Sequence, residues 1–196
     1  PIPTINIMAN FEILYQIIPE VTDTKLLGKL LKINHNNTDD WLLRLSSLLL
    51  GSHHHKSSIN ISDRWRFSSK DSKRFKNLLS KHYTSERTLD MSIVRRSLYF
   101  SEKRHVIDWL ILTLAMDEHE DEAYYKLINF AENWIKPALP ITGSDVIDLK
   151  TEPGPEIGIL LKTIEEWWIN NNFTPDREKC LEKLKLLAKS GVKNKI

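Results

Sequence analysis

Residues 141–168 read ITGSDVIDLKTEPGPEIGILLKTIEEWW and join a proline-rich turn to a helical pattern. The Pro-Gly-Pro turn at residues 153–155 is stiff, and Pro155 presets φ for the first turn of a helix. Apolar residues then recur at spacings of three and four, which is typical of an amphipathic helix. Adjacent helical residues lie about 100° apart, so we expect one ring of the Trp167–Trp168 pair in a core and the other at its rim.

The helix start allows two interpretations. Glu156 lies where the helix dipole favours an anion, and Gly158 leaves one face bare, so another backbone can approach closely. This arrangement can be purely architectural. Free N–H groups at a helix start can also bind phosphate, and the sequence leaves both interpretations open.

The rest of the chain follows the same helical periodicity. Glycine is rare, with six residues in 196, and no β-hairpin signal or fixed repeat is present. Helices are predicted at residues 5–18, 22–33, 41–50 (with Asp39 as a cap and a stop at Gly51), 61–67, 69–82, 89–100, 103–116, 122–135, 155–170 and from Thr174-Pro175 to about residue 191. We therefore predict an all-α fold, an irregular multi-helix array without significant sheet, with a helical body at 1–136 and a helical tail at 137–196.

Charge is segregated along the chain although the net charge is only +2. Residues 56–104 hold 13 Lys and Arg against five Asp and Glu, a net charge of +8, whereas residues 105–173 carry −9 and residues 174–196 carry +4. A block of one sign suggests a surface that faces a polyanion. Two solvated helical faces that neutralise each other would give the same pattern.

We expect the basic block to form the main nucleic-acid-facing surface, because the planar guanidinium donates two parallel hydrogen bonds to phosphate. Lys183 and Lys185 of the basic tail are expected to matter less. The predicted binding residues are Arg64, Arg66, Lys70, Lys73, Arg74, Arg95, Arg96, Lys103 and Arg104.

Other candidate sites have simpler explanations. Adjacent histidines at residues 53–55 cannot chelate one ion as a spaced pair on a helix face does. The acidic run at residues 117–121 lacks the glycine and the oxygen spacing of a calcium loop, so a solvated turn is expected. Cys180 is the one cysteine and is expected to be a buried structural thiol, which suggests a reducing compartment and a cytoplasmic location. No metal-binding, catalytic or membrane-spanning segment is expected.

The 141–168 segment resembles the C-terminal signature of bacterial tRNA nucleotidyltransferases (CCA-adding enzymes) and poly(A) polymerases. Weaker similarity to this family extends through residues 8–20, 40–50 and 61–79, and Arg177, Cys180 and Leu181 continue it towards the end of the chain. The residues that match the motif are Thr142, Gly143, Asp145, Val146, Ile147, Pro153, Gly154, Pro155, Glu156, Gly158 and Leu161.

The resemblance implies a helical body and tail that bind tRNA. It also implies that the catalytic head is absent, because neither Gly51-Ser52 nor Gly143-Ser144 is followed by the Asp-x-Asp metal pair of that head. With Pro1 as its first residue, the chain is expected to be a piece of a longer enzyme. That enzyme would add C, C and A to tRNA 3′ ends from CTP and ATP with Mg²⁺, whereas this piece would need no cofactor. A poly(A) polymerase and a helical protein-interaction domain without an RNA role are the alternatives.

Overall fold

The computed structural model describes residues 1–52, 59–80, 90–117, 122–148 and 154–189. Every regular element in these ranges is a helix and none is a strand, which confirms the prediction of an all-α multi-helix array. The elements are α1 (Ile2–Asn10), α2 (Ile13–Ile17), α3 (Lys25–Leu30), a 3₁₀ turn (Asn36–Asp39), α4 (Trp41–Leu50), α5 (Ile59–Arg64), α6 (Ser69–Leu78), α7 (Met91–Phe100), α8 (Lys103–Met116), α9 (Glu122–Glu132), α10 (Gly143–Ile147), α11 (Pro155–Asn170) and α12 (Arg177–Lys189).

The chain divides into two compact units, Pro1–Trp134 and Ile135–Ile196, called unit 1 and unit 2 below. The predicted boundary between residues 136 and 137 lies two residues further along the chain. In unit 1, α8 packs against α3, α4, α6, α7 and α9, and most of its residues are buried. A helix enclosed in this way can be apolar on nearly all sides, which explains why the stretch from Val106 to Met116 is so hydrophobic. None of the described helices is long and apolar enough to cross a membrane.

Several predicted helix bounds in unit 1 were wrong: the helices predicted at 22–33, 61–67 and 69–82 are Lys25–Leu30, Ile59–Arg64 and Ser69–Leu78. Two further differences have a visible cause. The stripe from residue 5 to 18 is split into α1 and α2, because Glu12 adopts a left-handed φ of 60° and cannot continue a helix. Asp40, rather than Asp39, caps α4: its Oδ1 accepts the Leu43 N–H at 2.9 Å.

Unit 2 is built from α10, α11 and α12. Trp168 lies in its core at 2% exposure, while Trp167 is only partly buried, as predicted for this pair. The Trp168 indole Nε1 donates to the Pro175 carbonyl oxygen at 3.0 Å, so the buried ring has its hydrogen-bond partner. Cys180 is fully buried, as predicted, and burial raises the pKa of its thiol. Pro175 does not begin the last helix: Asp176 accepts the Lys179 N–H at 3.0 Å, and α12 starts at Arg177.

Candidate nucleic-acid interface

The turn between α5 and α6 fixes the centre of the basic block. The Phe67 N–H donates to the Ser62 carbonyl at 2.8 Å, five residues back, which is the long bond of a Schellman motif. Arg66 takes the left-handed position of this motif with φ of 52°, where glycine costs least. Ser68 then accepts the Asp71 N–H at 3.1 Å and caps α6.

Aromatic rings lie beside this turn. Phe67 makes edge contacts with Trp41, Trp65 and Phe75, with ring centroids 5.2, 6.3 and 5.4 Å apart. Phe75 is fully buried, whereas Trp41 is 51% exposed and Trp65 is 37% exposed. The cluster therefore runs from the core to solvent and presents two indole rings there. Exposed aromatic rings beside cations are the usual platform for unpaired bases.

Four cationic side chains of the turn and of α6 are exposed and make no hydrogen bond or ion pair within the described part of the chain. We call this set the basic face: Arg66, Lys70, Lys73 and Lys76. The three lysines recur every third residue on α6, so they fall within an arc of about 120°. Lys76 was missed from the sequence, although its spacing from Lys73 was a readable signal.

Arg74 was predicted to face nucleic acid, and that prediction is wrong. Its side chain is 10% exposed, and it donates from Nε to Asp108 Oδ2 at 2.8 Å and from Nη1 to Asp40 Oδ2 at 3.0 Å. Arg104 donates from Nη2 to the same Asp40 oxygen at 2.6 Å. Arg74 shares a helix face with Phe75 and Leu78, and that face is turned into the core.

The pKa values of the two carboxyl groups in this cluster shift in opposite directions. Burial raises the pKa of Asp108, which is fully buried and leaves Oδ1 without a hydrogen-bond partner among the described residues, although Arg74 and Arg104 oppose the shift. Asp40 is also partly desolvated, but its hydrogen bonds from Arg74 and the Leu43 N–H hold its pKa below the ordinary value. Hydrogen bonds to Asp108 and Asp40 likewise raise the pKa of Arg74 against the opposing effect of burial. The cluster joins α4, α6 and α8, and its charged groups form ion pairs with one another.

The remaining predicted cations have partners inside unit 1. Arg64 donates from Nη1 and Nη2 to the two carboxylate oxygens of Glu20 at 3.0 and 3.1 Å. Lys103 Nζ donates to the Glu132 carbonyl at 2.9 Å. Arg95 lies over the Phe130 ring at 5.5 Å, and Arg96 lies over Phe100 at 5.4 Å. Of the nine predicted residues, only Arg66, Lys70 and Lys73 remain in the basic face.

The family motif forms a helix start in unit 2. Asp145 Oδ2 accepts the Thr142 N–H at 2.8 Å, as in a capping box, and the carboxylate pairs with both Nη atoms of Arg177. The hydrogen bond from Arg177, followed by those from Thr142, holds the pKa of Asp145 below its ordinary value. A Cβ at Gly143 would meet Leu161 at an ordinary 3.9 Å. Asp145 is thus committed to internal contacts, which favours the architectural interpretation for this part of the motif.

The second half of the motif starts α11. Pro155 is at the first helical turn, as predicted, and Gly154 precedes it as the N-cap, while Pro153 lies outside the described residues. The expected close approach at Gly158 is wrong: the residue is exposed, and a Cβ built there meets nothing within 4 Å. The absence of a side chain at this position therefore relieves no crowding.

Two other predicted features lie largely outside the described residues, namely the histidines at 53–55 and residues 118–121 of the acidic run. Among the residues that are described, no group of three or more His, Cys, Asp or Glu is placed to hold a metal ion. No protein-family model matches the chain, and no curated protein matches it. Membership of the nucleotidyltransferase family thus remains a prediction from the motif.

Proposed function

We propose that the chain binds structured RNA through the basic face, as the tRNA-binding C-terminal part of a tRNA nucleotidyltransferase. The observation that carries the proposal is the set of exposed cations on α6 and at Arg66, which have no partner among the described residues. Cations that already have carboxylate partners gain little from phosphate, whereas unpaired ones release counterions from the RNA. In the whole enzyme, addition of C, C and A from CTP and ATP with Mg²⁺ would take place in the head.

Arg66 adds a second line of support. An arginine at φ 52° costs roughly 1 kcal/mol relative to glycine, so a glycine at this position would remove the cation without straining the backbone. No partner for its guanidinium exists within the described residues. A ligand phosphate would supply one.

The first test replaces Lys70, Lys73 and Lys76 together by Gln. Binding to a tRNA transcript without its 3′ CCA should weaken, and the slope of log affinity against log salt should flatten by about two units if all three contact phosphate. The matched control replaces Lys25, Lys29 and Lys32, in and just after α3, which are also exposed and carry the same charge. Equal losses of tRNA affinity in both triple variants would mean that net charge alone causes the effect. That result would refute the basic face as the binding surface.

The second test uses Arg66→Gly. This change should leave the protein as stable as the wild type, or up to about 1 kcal/mol more stable, while weakening tRNA binding. Glu12→Gly is the control, because Glu12 has a similar φ of 60° outside the basic face. The proposal fails if Arg66→Gly binds tRNA as tightly as the wild type.

Substrate preference separates the two enzymes of the family. A tRNA nucleotidyltransferase part should bind the truncated tRNA more tightly than single-stranded poly(A) of equal length, and a poly(A) polymerase part should not. The isolated chain should add no nucleotide to that tRNA with CTP, ATP and Mg²⁺, because the metal-binding Asp-x-Asp pair is missing from its sequence. Addition above background would refute the assignment to body and tail.

A protein-interaction domain is the second candidate, and one surface favours it. The helices α1 and α2 and the turn between them expose apolar side chains close together in the sequence, namely Ile7 at 56%, Phe11 at 72%, Ile13 at 47%, Tyr15 at 41% and Ile17 at 46%. Exposed apolar side chains that form one patch often mark a contact with another protein. A chain that ignores tRNA at moderate salt would support this function instead.

A further inference from the structure

Unit 2 contains an open groove of about 450 Å³ between α11 and α12, and none of its lining residues belongs to the basic face. This volume lies in the range of small-molecule sites. The lining includes an aromatic ring, a second apolar side chain, two lysines and a carboxylate: Trp167, Leu186, Lys179, Lys183 and Glu182.

The apolar part of the groove is open to solvent. Leu186 is 63% exposed, and Trp167 is half-buried although its neighbour Trp168 fills the core. Trp168 has an internal partner in Pro175 for its indole N–H, whereas no hydrogen bond from the Trp167 indole is made within the described residues. The groove thus offers a planar aromatic surface that is partly open to solvent.

The groove carries charges of both signs, from two lysines and one carboxylate of α12. The Lys183 ammonium lies 5.8 Å from the Trp167 ring centroid, near the upper limit of about 6 Å for a cation–π contact. Little is lost when this lysine turns from the ring to a phosphate, and Lys179, one helical turn earlier, faces the same groove. Glu182 supplies a carboxylate that can accept from an exocyclic amino group.

We propose that this groove binds a single unpaired nucleotide, with the base stacked on Trp167 and the phosphate held by Lys179 and Lys183. A base, a sugar and one phosphate match the size of the groove and use its ring, its lysines and its carboxylate together. A helical peptide would need a longer apolar surface than this groove has. The nucleotide can be a free nucleoside monophosphate or an unpaired residue of RNA, since the recognised chemistry is the same. The groove goes beyond the proposed function, because it lies in unit 2 and uses none of the basic face.

The test titrates AMP into the whole chain and follows the Trp167 indole N–H by NMR, assigned with Trp167→Phe, together with calorimetry. We expect a dissociation constant on the order of millimolar or tighter, at least about fivefold weaker binding of ribose 5-phosphate, which lacks the base, and weaker binding of UMP. Trp167→Leu should lose at least about fivefold in AMP affinity, and Trp167→Phe should keep most of it. No AMP-dependent shift of this indole, or equal binding of ribose 5-phosphate, would overturn the proposal.

Lysine variants test the phosphate half without disturbing the core. Lys183→Gln should weaken AMP binding severalfold and leave adenosine binding unchanged, because adenosine has no phosphate. Lys185→Gln is the matched control on the same helix, since Lys185 is exposed but does not line the groove. Equal losses in both variants, or equal affinities of AMP and adenosine for the wild type, would refute the phosphate assignment.

Two further arms identify the source of the nucleotide and keep the two proposals separable. A five-residue oligoadenylate that binds more tightly than AMP with the same indole shift indicates an unpaired RNA residue, whereas equal affinity indicates a free nucleotide. The Lys70, Lys73 and Lys76 triple variant should leave AMP binding unchanged. Loss of tRNA binding with intact AMP binding therefore reports only on the basic face.

Discussion

Units 1 and 2 each contain an arginine–aspartate pair that joins distant parts of the sequence, and the two pairs differ in burial. Arg74 and Asp108 of unit 1 are 10% and 0% exposed, whereas Arg177 and Asp145 of unit 2 are 54% and 10% exposed. The pKa of Asp108 is raised above its ordinary value, and the pKa of Asp145 is lowered. An arginine partner alone thus does not fix the direction of the shift. Loss of water outweighs the pairing at Asp108, while pairing dominates at Asp145.

The largest expected effect comes from breaking the buried pair. Arg74→Met keeps an unbranched apolar stem but removes the guanidinium and so leaves Asp108 without its main partner, which should cost about 3–5 kcal/mol in the free energy of unfolding. Urea denaturation and hydrogen exchange of α8 amides measure this loss. Arg104→Met is the control, because Arg104 contacts Asp40 from a half-exposed position. A loss under about 1 kcal/mol in Arg74→Met would mean that water reaches Asp108 in the folded protein.

The same variant should show a characteristic pH dependence. Because the folded-state pKa of Asp108 is raised from 3.8, the folded chain takes up this proton at higher pH than the unfolded chain. The contribution of Asp108 to stability therefore falls as pH rises through the window above 3.8. Without Arg74 the pKa rises further, so the loss in Arg74→Met should shrink as pH is lowered from about 7 towards about 4. A loss independent of pH in this range would contradict a charged Asp108 at neutral pH.

Alanine at an open glycine should change stability by less than Arg74→Met and in the opposite direction. The direction should be the same in both units. A Cβ placed on Gly28 in α3 or on Gly158 in α11 meets no atom within 4 Å, so alanine fits at either site. Each Gly→Ala change should raise the free energy of unfolding by about 0.5–1 kcal/mol. If Gly158→Ala also weakens tRNA binding while Gly28→Ala does not, RNA approaches the start of α11 closely. Unchanged binding in both supports the architectural interpretation of the motif.

Much of the fold was predictable because helical periodicity is local. The bounds of α8 and α11 agree with the predicted 103–116 and 155–170, since both helices are long and have clear starts. The break at Glu12 was not predictable, because a left-handed glutamate leaves no mark in an apolar stripe.

The site was predictable only in part. Charge counts locate the basic block but do not distinguish a free cation from a paired one. Arg74 pairs with Asp40 and Asp108, each 34 residues away, and such contacts exist only after the helices pack. The exposed lysines on α6 and the groove beside Trp167 likewise depend on which helix faces remain uncovered in the fold.

The smallest expected effect comes from breaking the exposed pair with the same substitution, Arg177→Met. Asp145 keeps its hydrogen bonds from the Thr142 N–H at 2.8 Å and hydroxyl at 3.1 Å, and water can reach the vacated side. The loss of stability should thus be no more than about a fifth of that in Arg74→Met. Because the folded-state pKa of Asp145 is lowered from 3.8, its contribution is present at neutral pH and disappears only as pH falls below that value. The loss in Arg177→Met should therefore be constant from about pH 7 to about pH 5, where the loss in Arg74→Met already shrinks. Hydrogen exchange in the intact chain measures both losses of stability, from α10 amides in Arg177→Met and from α8 amides in Arg74→Met. If the two losses of stability are equal in size and decrease over the same pH range, the difference in burial between the two pairs does not determine their contributions to stability.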